Sequence, residues 1–429
     1  MKTLGFQKDE YAPYQNAELL SAYSQAKAIV EGEAEPDTQE GVDALTATLK
    51  AAAWTVNTED VDAIFNGNFA EELKGWKRTN NWGQMRTGLE GDYATAYYNQ
   101  PGSLVYGETG VYTMPLAGNT AYKLTFAYRS HEDGSNINMT VSVLNGEDGL
   151  AATRLEGNAS TTEWKTGVKV FKTGAAGNYV LTLANNGNTW MTGVSIVKAE
   201  IENITIAENA DYTPAEAYAN VTFNRTVVAG WNGMVLPFDA TVAKVKSAFG
   251  ATAVKDFAGI AYDEAKGVTL KFQDATEVKA GRPFMMKAAA GTSYTFNDVV
   301  LPATGLQNIE MVDETNSNVK YTMKGTYAAT TDLRDVNFAL INGTKFFYHT
   351  AGVNESSAKA FRAYFENNST EPASARVSFD FGDDETTGIE EIRQNAAANG
   401  QYYDLQGRKV QNLNKKGVYL LNGKKVTVK

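Results

Sequence analysis

Four of the six tryptophans, Trp76, Trp82, Trp164 and Trp190, lie between residues 76 and 190, with Tyr93, Tyr97, Tyr98 and Tyr106 among them. Flat aromatic faces suit the apolar C–H side of a pyranose ring. Its hydroxyls then need planar donors and acceptors, and Gln84, Arg86 and Arg129 stand in the same stretch. The competing explanation is that large aromatics are simply core. Core is favoured for Trp76 and Trp164, which sit among strand residues. For Trp82, in the polar run Thr79-Asn80-Asn81-Trp82-Gly83-Gln84-Met85-Arg86, binding and packing stand level, and Trp190, after Asn185-Asn186-Gly187-Asn188-Thr189, is the same case. Of the neighbours Tyr97 and Tyr98, strand alternation sends one inward and one outward without saying which.

Other chemistries have less to work with. The chain has no cysteine, which removes disulfides, thiolate metal sites and a thiol nucleophile, and only His131 and His349 remain for base or metal work. Arg129-Ser130-His131-Glu132-Asp133-Gly134 puts serine, histidine and acids in one loop. Triad members must instead converge from positions that leave an oxyanion hole, so a surface turn fits better, with His131 at most a polar contact at a site rim. His349, in Phe346-Phe347-Tyr348-His349, reads as a strand residue without a role. The 50 Asp and Glu could hide the carboxylate pair of a glycosidase, yet none stands out by motif, so no enzyme activity is expected. No cofactor is called for. Calcium would find oxygen ligands in Asn145-Gly146-Glu147-Asp148-Gly149 or Asp133-Gly134-Ser135-Asn136, although neither matches a twelve-residue EF-hand loop and plain turns explain both as well.

The elements that must position these residues follow from composition and periodicity. A length of 429 residues is too great for one core and predicts about three domains, while 43% hydrophobic and 21% charged residues are the proportions of a globular protein. The net charge of −11 disfavours nucleic acid and anionic lipid as partners. No run approaches the roughly 20 apolar residues of a membrane-spanning helix, so no span is expected. The first ten residues show no apolar core of a signal peptide, and an export signal would have been trimmed or lain upstream.

Leu19, Leu20, Tyr23, Ala26 and Val30 fall at helical steps before Gly32, and Asp37-Thr38-Gln39-Glu40 announces a second helix with Val42, Leu45, Leu49 and Ala52 on one face. From Val61 the pattern changes to short alternating strands: Tyr122/Leu124/Phe126/Tyr128, Ile137/Met139/Val141/Val143, a strand opened by Trp164, Tyr179/Leu181/Leu183, and Val194/Ile196. Roughly eight strands in a β-sandwich are predicted. Residues 201–382 alternate likewise at Val268/Leu270/Phe272, Tyr294/Phe296, Val319/Tyr321/Met323 and Val377/Phe379/Phe381, interrupted by a helix between Thr241 and Gly250. Asn342-Gly343 between apolar runs signals a hairpin. An acidic linker follows at 383–400. Residues 401–429 carry seven Lys and Arg against Asp404, and two Gly-turn patterns there predict a small sheet.

Residues 64–199 resemble carbohydrate-binding modules of the family 4/9 type, which are galactose-binding-like jelly rolls. The resemblance rests on Ile64-Phe65-Asn66-Gly67-Asn68-Phe69 with Gly75-Trp76, on Ala121-Tyr122-Lys123-Leu124-Thr125-Phe126, on Thr162-Glu163-Trp164 and on Gly193-Val194-Ser195-Ile196. In such modules an Asp often precedes the Val of the last strand. Here that position is Gly193, so the resemblance supplies no calcium contact there. Trp231-Asn232-Gly233-Met234-Val235-Leu236-Pro237-Phe238-Asp239 and Ala280-Gly281-Arg282-Pro283-Phe284 look like a β domain of secreted Bacteroidetes proteins with no assigned chemistry. Tyr403-Asp404-Leu405-Gln406-Gly407-Arg408-Lys409-Val410 and Gly417-Val418-Tyr419-Leu420-Leu421-Asn422-Gly423-Lys424-Lys425 are similar to C-terminal sorting-type domains of exported proteins from that phylum.

The expectation is therefore a mainly β chain. It comprises a helical segment at 1–58, a galactose-binding-like jelly roll at 59–200, a second β-sandwich at 201–382, the linker at 383–400 and a β-hairpin tail at 401–429. Its expected function is non-catalytic binding of a poly- or oligosaccharide through Trp82, Gln84, Arg86, Tyr97, Tyr98, Arg129 and Trp190. The resemblance of the tail implies an extracellular or cell-surface location and contact with export machinery. A structural or adhesive module that recognises protein is the alternative, and a glycoside hydrolase a more distant one.

Overall fold

Thr38 opens helix α1 (Gln39–Thr55) as the sequence predicts: its hydroxyl accepts from Gly41 N at 3.0 Å and its carbonyl from Val42 N at 3.1 Å. The structure is a computed structural model that describes residues 21, 24–29, 38–55, 62–77, 83–87, 95–99, 108–130, 136–145, 148–158, 163–185, 189–370, 377–382, 386–387, 402–403, 409–410, 417–421 and 424–428. The chain is mainly β. Its backbone divides into one unit of residues 1–203 with 215–220 and 298–303, and another of residues 204–214, 221–297 and 304–429.

In the first unit nine strands make two antiparallel sheets: β1 (Gly83–Thr87), β2 (Thr95–Asn99), β3 (Glu108–Leu116), β4 (Ala121–Ser130), β5 (Asn136–Asn145), β6 (Asp148–Asn158), β7 (Lys165–Lys172), β8 (Gly177–Asn185) and β9 (Thr189–Lys198). One sheet runs β1-β2-β9-β4-β7 and the other β3-β8-β5-β6. Leaving aside β1, which is added at an edge, successive strands alternate between the sheets except for the β5-β6 hairpin, which is the order of a jelly roll. Tyr122, Leu124, Phe126, Met139, Val141, Val143, Tyr179, Leu181, Leu183, Val194 and Ile196, the inward positions predicted from alternation, all lie in its core.

The segment 62–77 closes one end of this core. Asp62 accepts from Ile64 N and Ile196 N, both at 2.8 Å, and Trp76 packs between Phe69 and Tyr112 at ring separations of 5.1 and 5.0 Å. Trp76 is core, as expected. Gly67 must be glycine, because a Cβ there would stand 1.7 Å from the Val194 carbonyl oxygen.

The second unit is built on a sheet of eleven strands. In spatial order these are Ile309–Val312, Lys320–Gly325, Ala363–Asn367, Phe338–Gly343, Gly230–Val235, Pro283–Ala288, Ala253–Asp263, Gly267–Asp274, Val377–Asp380 and Thr386–Thr387, with Lys345–His349 hairpinned onto Phe338–Gly343. A core of Phe257, Leu270, Phe272, Tyr321, Phe365 and Phe379 comes from strands of this one sheet, so the second sandwich is largely a single sheet closing over itself. A further aromatic group, Phe223, Phe238, Phe249, Phe296 and Phe361, packs around helix α2 (Val242–Phe249). That helix has the predicted caps: the Thr241 hydroxyl accepts from Lys244 N, and Gly250 is left-handed at φ 60°. The predicted hairpin forms with a shift of one residue. Asn342 pairs Lys345, leaving Gly343 and Thr344 as the turn, because Gly343 takes φ 72° at its first central position. In the tail, Tyr402–Tyr403, Lys409–Val410, Gly417–Leu421 and Lys424–Val428 pair into a four-stranded sheet.

Candidate functional site

Backbone register across the five-stranded sheet brings several of the anticipated residues into one row. Gln84 stands opposite Tyr98, Tyr98 opposite Trp190, and Trp190 opposite Arg129. Arg129 reaches the residue that precedes β7, with its guanidinium 5.0 Å from the ring centroid of Trp164. Arg86 lies two rows away, opposite Ala96, and in the row between, Tyr97 stands opposite Met191, a core residue. The question that alternation left open is thus answered in register: Tyr98 has the row of Trp190 and Tyr97 the row of Met191. Trp82 lies outside the described residues, as do Tyr93, Tyr106, His131 and the loop 133–135.

Trp190 and Arg129 face away from the jelly-roll core. Met191 and Tyr128, opposite each other in register, pack with the core, while their neighbours Trp190 and Arg129 take the other face. There Trp190, Ala96 and the half-buried Trp164 form a small apolar cluster of their own. Two details qualify the expected roles of the aromatics. Trp190 is 5% exposed, so it is a buried wall of the cluster and not an open platform. Trp164, expected in the core, belongs to the outer face and carries the Arg129 guanidinium, an arrangement that holds a cation by the ring quadrupole. The signal for this was available: counting back by twos from Phe171 in the core passes over Trp164.

Polar groups in this row and the adjacent one, where Thr189 stands opposite Ser130, are incompletely satisfied. Arg129 Nε and Thr189 Oγ1 are buried without a hydrogen-bond partner among the described residues, a state that most buried polar atoms avoid. The arrangement offers a fixed guanidinium fork on an indole, flanked by apolar surface, which is suited to gripping a polar ligand with apolar faces.

The remaining histidine is spent on structure. His349 ends the strand Lys345–His349, stacks on Phe338 with ring centroids 5.1 Å apart, and has its nitrogens 2.9 and 3.1 Å from the carbonyl oxygens of Val336 and Asn354. In the same unit the buried Arg225 donates to the backbone carbonyls of Phe361, Thr226 and Gly233, acting as a strut. Among the described residues no group of three or more His, Asp and Glu gathers in a way that could hold a metal ion.

No known family profile and no curated relative matches the chain. Solved structures with similar backbone include a Stig cyclase, Fisc, from Fischerella sp. TAU. It is 17% identical, the match covers 33% of this chain and 99% of that one, and the TM-score is 0.25. The carbohydrate-binding module TmCBM61 in complex with β-1,4-galactotriose is 10% identical, with 32% and 99% covered and a TM-score of 0.26. A family 16 carbohydrate-binding module is 17% identical, with 32% and 99% covered and a TM-score of 0.24. At these values the likenesses carry no argument about ligand or chemistry.

Proposed function

We propose that this chain is a non-catalytic glycan-binding protein of the cell exterior, and that the outer face of its five-stranded sheet is the binding surface. The observation that carries this reading is the Arg129–Trp164 stack beside Trp190, a planar polar fork on an aromatic support outside the core. The sequence resemblance of residues 64–199 to carbohydrate-binding modules supports it, and that of the tail to sorting-type domains supports export. Trp164 and Arg129 would grip the sugar, Trp190 would back them, and Gln84, Arg86 and Tyr98 stand at neighbouring register positions. Trp82 remains a proposed contact, and Tyr97, in the core row, a weaker one.

The burial of Trp190 favours a second reading, in which the sheet is a spacer or recognises protein. A glycan-array screen of the full chain separates the two. Binding to a glycan class, reduced in Trp164→Ala with an unchanged circular-dichroism spectrum, supports the first; no binding to plant, host or microbial glycans moves the assignment to the second.

A further inference from the structure

The charge of the proposed binding sheet is opposite to that of the chain. Its five strands hold seven basic residues, Arg86, Lys123, Arg129, Lys165, Lys169, Lys172 and Lys198, and no Asp or Glu at all. With 50 acids in 429 residues, about four would be expected in strands of that combined length. The other sheet of the same sandwich has the opposite balance, Glu108, Asp148 and Glu156 against Arg154. Lys169 and Lys172 are already paired with Glu216 and Asp298. Arg129 is different: its contact is the face of Trp164, and no carboxylate among the described residues pairs with it. Lys165 and Lys169 stand opposite Tyr128 and Leu124, in rows that face the core, so the described basic positions that share the outer face with Arg129 are Lys123 and Lys172.

A neutral sugar gives no reason for acids to be absent from the whole sheet, since Asp and Glu are good acceptors for sugar hydroxyls. A ligand with its own negative charge does, because each carboxylate on the sheet would repel it and compete for the arginine fork. A guanidinium held over an indole is also pre-organised for a two-point grip on a carboxylate or sulfate. We propose that the five-stranded sheet selects an anionic glycan, a polysaccharide bearing carboxylate or sulfate groups, with Arg129 as the residue that pairs the acid group. This rests on the glycan-binding reading above and adds the class of ligand.

The test uses the full chain in affinity electrophoresis and calorimetry against matched polymers. These are polygalacturonate and its fully methyl-esterified form, dextran sulfate and dextran, and double-stranded DNA as a polyanion of another class. The charged member of one pair should bind at least about tenfold more tightly than its neutral counterpart, and affinity should fall steeply with added salt. Which pair shows the gap identifies carboxylate or sulfate. Arg129→Gln should lose about tenfold, and Arg129→Lys, which keeps the charge without the fork, should recover only part of it. Should either variant fail to fold by circular dichroism, the salt titration and matched pairs on the wild type still decide. Equal binding of charged and neutral members, or binding to neutral glycans alone, overturns this inference and leaves the glycan-binding reading intact. DNA bound as tightly as any glycan overturns it as bare charge attraction. Binding of no polymer overturns this inference, and the glycan array then decides the glycan-binding reading.

Discussion

At the scale of single residues, the two tryptophans of the outer face should separate in their effects because one is buried and the other half-exposed. Trp190→Ala removes a ring that is 5% exposed and should cost about 3 kcal/mol of stability, read as a lower melting temperature of the first unit. Trp164→Ala should cost less stability and more binding. It frees the Arg129 guanidinium from a contact worth about 1 kcal/mol, and calorimetry should show a several-fold weaker glycan affinity. The reverse pattern would make Trp190 the platform and Trp164 the packing residue. Trp76 needs no such test of role, since its indole Nε1 donates to the Asn66 carbonyl at 3.3 Å inside the core.

At the scale of elements, hydrogen-bonded acids tie segments together and make their stability depend on pH. Asp313 joins the strand Ala253–Asp263 to the turn after Ile309–Val312, accepting from Tyr262 N at 2.8 Å, Thr315 N at 2.9 Å, Asn316 N at 2.8 Å and the Thr315 hydroxyl at 2.6 Å. Burial alone would raise its pKa, but the Thr315 hydroxyl and the backbone N–H groups outweigh that and hold it below the ordinary carboxylate value. A carboxyl lowered in the folded state contributes stability that is present above the unfolded value of about 4 and is lost as pH falls through the folded one. Asp313→Ala should therefore lower the melting point at pH 7 by the equivalent of about 2 kcal/mol, with the gap to wild type closing in acid. Asp62, in the other unit, has the opposite sign. Burial raises its pKa in spite of the Ile64 and Ile196 N–H groups, so its contribution improves as pH falls toward the unfolded value. Gly67→Ala tests the same end of the jelly roll sterically. The new Cβ meets the Val194 carbonyl, and a loss of about 3 kcal/mol or failure to fold is expected, measured by denaturant unfolding.

At the scale of the whole molecule, the proposed division of labour predicts that the ends can be removed without the middle. A chain ending at residue 388 should keep the melting transitions of both units and lose display on the cell surface; unchanged display would remove the export reading of the tail. By itself the sequence determined the class of fold, the inward residues of the strands where it showed period-two alternation, such as Leu124, Val141, Leu181, Leu270 and Tyr321, the caps Thr38, Thr241 and Gly250, and the small sheet of the tail. All of these are local: period-two alternation and side-chain caps act within a few residues of the positions that reveal them. Tertiary structure alone decided which strands are neighbours, and with that the row Gln84, Tyr98, Trp190 and Arg129, drawn from segments as far as 106 residues apart. It also moved Trp164 from the core to the outer face, decided for Trp190 in favour of packing, and gathered seven basic residues and no acid into one sheet. Pairing of distant strands is set by the burial of the whole core, so a ligand surface built across strands cannot be read along any one of them.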